Sequence, residues 1–201
     1  DERVVDDPEN QSIGVSFRNG GFVNARYFPT YEHLGQYTVF NTDHWLFDGT
    51  GLEDGDQLGI TDYVFKEVDG AEFTWVDGKP VVTGTDGTPL NFQILGYHPS
   101  RRTPRWFRRS PGGAATMGIF DVPGGGTVFN AASMSWVNGL WDFKMMGIPD
   151  PEVSRITYNA ITRLSGMSVV PTPSAVWMGI ALIACLGVFT AVRKHISARR
   201  G

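Results

Sequence analysis

Between Arg163 and Arg193 the chain carries no charged residue, and within that gap residues 175–192 run for eighteen positions with Thr190 as the single polar side chain. As a helix, such a run at about 1.5 Å per residue spans roughly 27 Å, close to the hydrocarbon thickness of a bilayer. A buried core helix can carry the same composition, but the flanks favour the membrane. Pro171 and Pro173 make a stiff, non-helical approach, Trp177 suits the interface, and Arg193, Lys194, Arg199 and Arg200 follow at once. The sequence therefore predicts one transmembrane helix over 175–192, with membrane lipid as its partner and Trp177, Arg193 and Lys194 as its anchors. All 21 acidic residues and 11 of the 17 basic ones lie in the first 152 positions, a net charge of −10 there and +6 in the rest. By the positive-inside rule the tail 193–201 is expected in the cytoplasm and the acidic body outside.

Val170-Pro171-Thr172-Pro173-Ser174, the apolar stretch and the Arg-rich end together resemble the PEP-CTERM type of bacterial surface-sorting tail. That family usually has Pro-Glu-Pro where this chain has Pro171-Thr172-Pro173, and a denser arginine cluster. The resemblance implies a cell-surface protein whose tail meets a sorting protease of the exosortase type. Cys185 falls inside the apolar run, where it reads as a small apolar residue. As the sole cysteine it excludes an intramolecular disulfide framework. The chain opens on Asp1, and we expect the C-terminal piece of a longer precursor.

Residues 1–166 have the composition of a folded body, and glycine and proline punctuate short apolar runs through it. Strand-length segments fall at 12–17, 37–40, 63–68, 92–97, 117–122 and 127–132. Turn signals separate them at Asn19-Gly20-Gly21, Asp69-Gly70, Asp77-Gly78, Asp86-Gly87 and Pro123-Gly124-Gly125-Gly126. Asp77-Gly78 predicts a hairpin across 76–81. The near-continuous apolar character of the last strands predicts burial on both faces. One late helix follows. Asp150 caps it, Pro151 opens it, Val153, Ile156, Ala160, Ile161 and Leu164 share a face, and Gly166 stops it. It is expected to pack on the sheet, with 167–174 as a proline-containing linker.

Motifs that carry chemistry are sparse. The run from Asp43 to Asp56 is rich in carboxylates and glycines, but its oxygens miss the spacing of an EF-hand. It reads as a solvated loop in which His44 and Trp45 are candidates to line a pocket. The triple glycine at 124–126 lacks the Lys-Ser/Thr of a phosphate loop and reads as a tight turn. Ser135 and Trp136, beyond the strand that follows, complete the candidate pocket. No Gly-x-Ser-x-Gly occurs, and His33, His44, His98 and His195 have no zinc spacing. Arg101, Arg102, Arg105, Arg108 and Arg109 surround Trp106 and Phe107, a pattern that can bind nucleic acid. The acidic, outward-facing body argues against that partner, and none is expected.

Several segments, in order, resemble the C-terminal domain of the large (beta) subunit of N,N-dimethylformamidase and its relatives. They are Asp7-Pro8-Glu9-Asn10 with Ile13-Gly14-Val15; Asp43-His44-Trp45 through Gly49-Thr50-Gly51-Leu52 and Gly55-Asp56; Glu67-Val68-Asp69; the stretch from Met117 to Leu140; and Arg155-Ile156-Thr157-Tyr158-Asn159. The resemblance implies an α/β, β-rich fold: the C-terminal part of a glutamine-amidotransferase-like domain, incomplete at its N-terminus. It also implies amide hydrolysis by a mononuclear iron held by two tyrosines and one glutamate. By position the glutamate is Glu67, although the family's preceding Gly-Tyr is Phe65-Lys66 here. The tyrosines are expected upstream, and Tyr63 and Tyr97 are not promoted to ligands. The alternative for Glu67 is an ordinary strand residue on a solvated face.

Two functions follow. One is a membrane-anchored, extracytoplasmic amide hydrolase acting on a small amide with iron. The other is a non-catalytic surface protein that reuses the fold for binding, with carbohydrate as a candidate ligand and Trp75 and Trp106 as contacts.

Overall fold

A computed structural model of the chain describes residues 9–23, 35–59, 64, 66–101, 112–140 and 149–166. In chain order these form helix α1 (Glu9–Ile13), strands β1 (Ser16–Val23) and β2 (Tyr37–Val39), a single 3-10 turn (Trp45–Phe47) and strand β3 (Gln57–Leu58). Strands β4 (Lys66–Gly70), β5 (Phe73–Val76), β6 (Lys79–Val82), β7 (Gln93–Arg101), β8 (Gly112–Asp121) and β9 (Thr127–Asn130) follow. Helices α2 (Val137–Leu140) and α3 (Pro151–Leu164) end the series.

Short connections decide the topology. Asp77 and Gly78 take φ of 49° and 79° and close the predicted hairpin between β5 and β6. The glycines at 124–126 likewise close β8 on β9, with Asp121 opposite Thr127. Turns of this length reverse the chain, and parallel pairing needs a crossover of a dozen residues or more. The longer connections keep the same sense, and every pairing among the described residues is antiparallel. The main sheet runs β3-β2-β7-β1-β4, with β8 on β7 and β9 on β8, while β5 and β6 form a separate ribbon. The body is β-rich as expected, but it lacks the parallel alternation of an α/β fold among these residues.

The front of the chain departs from its predicted pattern. Residues 9–13 form α1 where strand 12–17 was expected, because the buried Asn10 amide ties that turn to Asp86 (3.0 Å) and Thr88 (2.9 Å). Asn19-Gly20-Gly21 lies inside β1 and makes no turn. Its glycines answer to crowding: a Cβ on Gly20 would sit 1.9 Å from the Val68 carbonyl oxygen, and one on Gly113 would sit 2.0 Å from that of Gly20. The β1–β4 pair thus crosses β8 backbone against backbone.

β8 is buried without a break from Ala114 to Phe120, matching its continuous apolar character. Its residues join two cores. One gathers Tyr37, Leu46, Leu58, Val68, Met117 and Trp136 with Val153 and Ile156 of α3. The other gathers Val15, Phe92, Ile94 and Phe120. Asp150 caps α3 as predicted, its Oδ1 accepting from the amides of Glu152 (3.0 Å) and Val153 (3.1 Å). The helix buries Val153, Ile156 and Ala160, whereas Ile161 (60% exposed) and Leu164 (39%) fall outside the core. Ile161 is rotated about 100° from Ala160, off the buried stripe.

Among the described residues no helix is long and apolar enough to cross a membrane. The span expected at 175–192, with Trp177, Arg193 and Lys194, lies outside the described residues. So do the linker 167–174, Tyr63 and the basic stretch 102–109.

Candidate functional site

Asn159 of α3 brings two distant segments together. Its Nδ2 donates to the carbonyl oxygens of Leu46 and Asp48, both at 2.9 Å, and holds the 3-10 turn against the helix. Close to this junction lies a cavity of about 470 Å³, whose lining includes His44, Trp45, Gln93, Asp121, Thr127 and Arg163.

His44 caps the 3-10 turn, its Nδ1 accepting from the Leu46 amide at 3.3 Å. A ring that accepts at Nδ1 carries its proton at Nε2, so His44 enters the cavity wall as a hydrogen-bond donor. Burial and the neighbouring Arg163 cation outweigh Asp43, Asp48 and Asp121, and hold its pKa below the usual histidine value. The Arg163 guanidinium lies 4.8 Å from the centre of the Trp45 ring, a cation–π contact between two residues of the cavity lining. In the same lining, Asp121 Oδ1 accepts from the Thr127 hydroxyl at 2.6 Å. The walls thus offer donors and one carboxylate, with no histidine lone pair free to act as a base.

The sequence grouped His44 and Trp45 with Ser135 and Trp136, and the structure separates them. Ser135 (5% exposed) and Trp136 (9%) do not line this cavity. Trp136 belongs to the main core, edge-on to Phe129 at 6.3 Å, with its Nε1 donating to Thr157 Oγ1 at 3.0 Å. An indole of that size stabilises by burial, provided its N–H finds a partner. The residues that replace the pair, Asp121, Thr127 and Arg163, escaped the sequence reading. The glycine-rich hairpin was the signal for the first two, since a tight β8–β9 turn sets Asp121 opposite Thr127.

Glu67 stands elsewhere, exposed on β4. Its strand is braced on both sides. Glu67 faces Phe22 of β1, and the 132–134 segment pairs along the other edge through the Val68–Ser133 bridge and the Asp69 amide to the Ala132 oxygen at 2.9 Å. Two residues on, Asp69 is half-buried, and burial together with Glu9 and Glu67 raises its pKa. Tyr37 is wholly buried and its hydroxyl donates to the Ala131 oxygen at 2.7 Å. Burial and the Asp69 charge push that phenol well above its usual value, which suits a structural hydrogen bond and opposes a phenolate ligand. Among the described residues no three histidine, cysteine, aspartate or glutamate side chains come together to hold a metal.

An antiparallel, glycine-crossed sheet with one capped helix and a polar cavity at their junction defines the class of domain. The chain belongs to the family described as N,N-dimethylformamidase beta subunit-like, C-terminal, which matches residues 1–149. Helix α3 lies beyond that span, so the likeness of Arg155 to Asn159 to the family's closing helix is not part of the match. No curated protein matches the chain.

Proposed function

We propose that the chain is an amide-hydrolase-like domain, tethered outside a membrane, whose chemistry is completed by the upstream part of its precursor. The family match over 1–149 carries this reading, since the family takes its name from an enzyme of a small amide. Glu67 is the ligand this chain contributes. Its carboxylate is uncovered and its backbone is held on both sides, so partners from another segment can reach it without rearranging the sheet. When bound, a hard, Lewis-acidic iron polarises an amide carbonyl and acidifies a water molecule. The remaining ligands are two tyrosines upstream, and the antiparallel strands form the C-terminal part of a larger glutamine-amidotransferase-like fold.

The tether is proposed on the length and flanking charge of residues 175–192, with the body extracytoplasmic, the tail 193–201 cytoplasmic, and surface sorting through the PEP-CTERM-like end. A non-catalytic binding protein on the same scaffold is the second reading, favoured by the clustered rings of Phe73, Trp75 and Tyr97.

The test joins the chain to its upstream part and measures amine or ammonia released from N,N-dimethylformamide and formamide. Glu67→Ala is expected to lower the rate by about a hundredfold or more. A parent inactive on both amides, or a variant as fast as the parent, contradicts the reading. Deleting residues 171–201 is expected to release the protein from membranes, and a truncated chain that stays there contradicts the tether.

A further inference from the structure

Alternation along β5 puts Phe73 and Trp75 on one face of the β5–β6 ribbon, and that face meets Tyr97 of β7. The three rings pack edge to face, with centroids 5.4 Å (Trp75–Tyr97), 5.5 Å (Phe73–Tyr97) and 5.6 Å (Phe73–Trp75) apart. Rings this close fill the space between themselves. They make a platform, and leave no enclosed hollow of the kind that surrounds a cation. Trp75 nevertheless keeps 51% of its surface exposed. The platform, with the Tyr97 phenol, forms one wall of a pocket of about 430 Å³ whose other polar side chains are Asn19, Glu72 and Ser100.

Those polar groups point to the chemistry of the ligand. Asn19 gives one Nδ2 hydrogen to Asp86 at 2.5 Å, which leaves its second N–H and its side-chain oxygen. Ser100 spends its hydroxyl proton on the Gly20 carbonyl at 2.5 Å, and keeps only lone pairs. The Glu72 side chain is exposed and ionic, an acceptor by nature. A rim of acceptors beside an amide donor suits a ligand rich in O–H groups, and the Glu72 carboxylate repels anions. An aromatic platform beside it selects a flat apolar face on the same molecule. A pyranose combines the two, with axial C–H bonds on one face and hydroxyls around its edge.

We propose that this pocket binds a neutral carbohydrate, stacked on Trp75 and hydrogen-bonded at its rim to Glu72, Asn19 and Ser100. The site is independent of Glu67 and of the amide chemistry proposed above.

The test is calorimetric titration of the full chain, in a detergent with neither a sugar nor a choline headgroup, against cellotetraose, xylotetraose and chitotetraose. Choline chloride serves as the cationic probe. At least one oligosaccharide is expected to bind, with Trp75→Ala weakening it about tenfold or more and Trp75→Phe weakening it less. Glu72→Ala, which removes a rim acceptor, is expected to weaken binding about threefold or more. Thermal unfolding checks that each variant is folded. No oligosaccharide binding, binding indifferent to Trp75→Ala, or binding of choline alone each overturns the proposal.

Discussion

The Asn159 amide closes on the Leu46 carbonyl at 2.9 Å, across 113 positions of sequence, and the same nitrogen reaches Asp48. One side chain thereby fastens the 3-10 turn to α3 and sets one end of the cavity. Asn159→Ala leaves both carbonyls to find other partners and is expected to cost about 1–2 kcal/mol. Urea unfolding of the full chain measures it, and an unchanged midpoint would show that the turn holds itself.

His44 gives the same junction a pH dependence. Its folded-state pKa is lowered, so its contribution to stability is fully present above the unfolded value near 6.5 and is lost as pH falls through the folded value. Protonation also turns Nδ1 from acceptor to donor and breaks the cap on the Leu46 amide. His44→Asn keeps a capping oxygen and removes the titration. The variant should lose less stability than the parent between pH 7 and pH 5, and parallel pH profiles would contradict the cap.

Asp69 has the opposite sign. Its folded-state pKa is raised, so the ionised form costs stability at neutral pH, and that cost is relieved as pH falls through the folded value toward the unfolded one. Asp69→Asn is expected to raise Tm by a few degrees at pH 7. The gain should shrink on acidification. A variant less stable than the parent at pH 7 would mean that the carboxylate is held by more than its surroundings show.

Gly113 tests the crossing of β8 over β1. A Cβ there would lie 2.0 Å from the Gly20 carbonyl oxygen and 2.7 Å from that of Asn19, and backbone cannot step aside as a side chain can. Gly113→Ala is expected to destabilise by about 3 kcal/mol or more. Gly78→Ala meets no atom within 4 Å and is strained only by its φ of 79°, so it should cost less. Equal costs would contradict the close approach.

Local physics made part of this fold legible. Asp77-Gly78 and the glycines at 124–126 declare positive φ, and Asp150 declares a helix cap within three residues of what it binds. The same local reading misjudged Asn19-Gly20-Gly21, because those glycines answer to strands that arrive 50 and 90 residues later. The cavity was half visible for a similar reason. His44 and Trp45 stood out as unusual residues in a polar run, but Arg163 reaches them only after α3 docks. Trp136 looked like a pocket residue because its hydroxyl-rich neighbourhood is polar in sequence, while in space it faces the core. Glu67 rests on resemblance alone. Nothing in its strand's pattern of burial sets it apart from Lys66 beside it, which is equally exposed.

That residue is where the account is most exposed to refutation. The direct measurement is the iron content of the chain purified together with its upstream part, for the parent and for Glu67→Ala. Glu67 is uncovered on a braced strand, so the variant should keep its Tm, and any loss of metal reports on ligation. The account predicts close to one iron per parent chain and a large loss in the variant. Equal iron in both, or none in the parent, contradicts it.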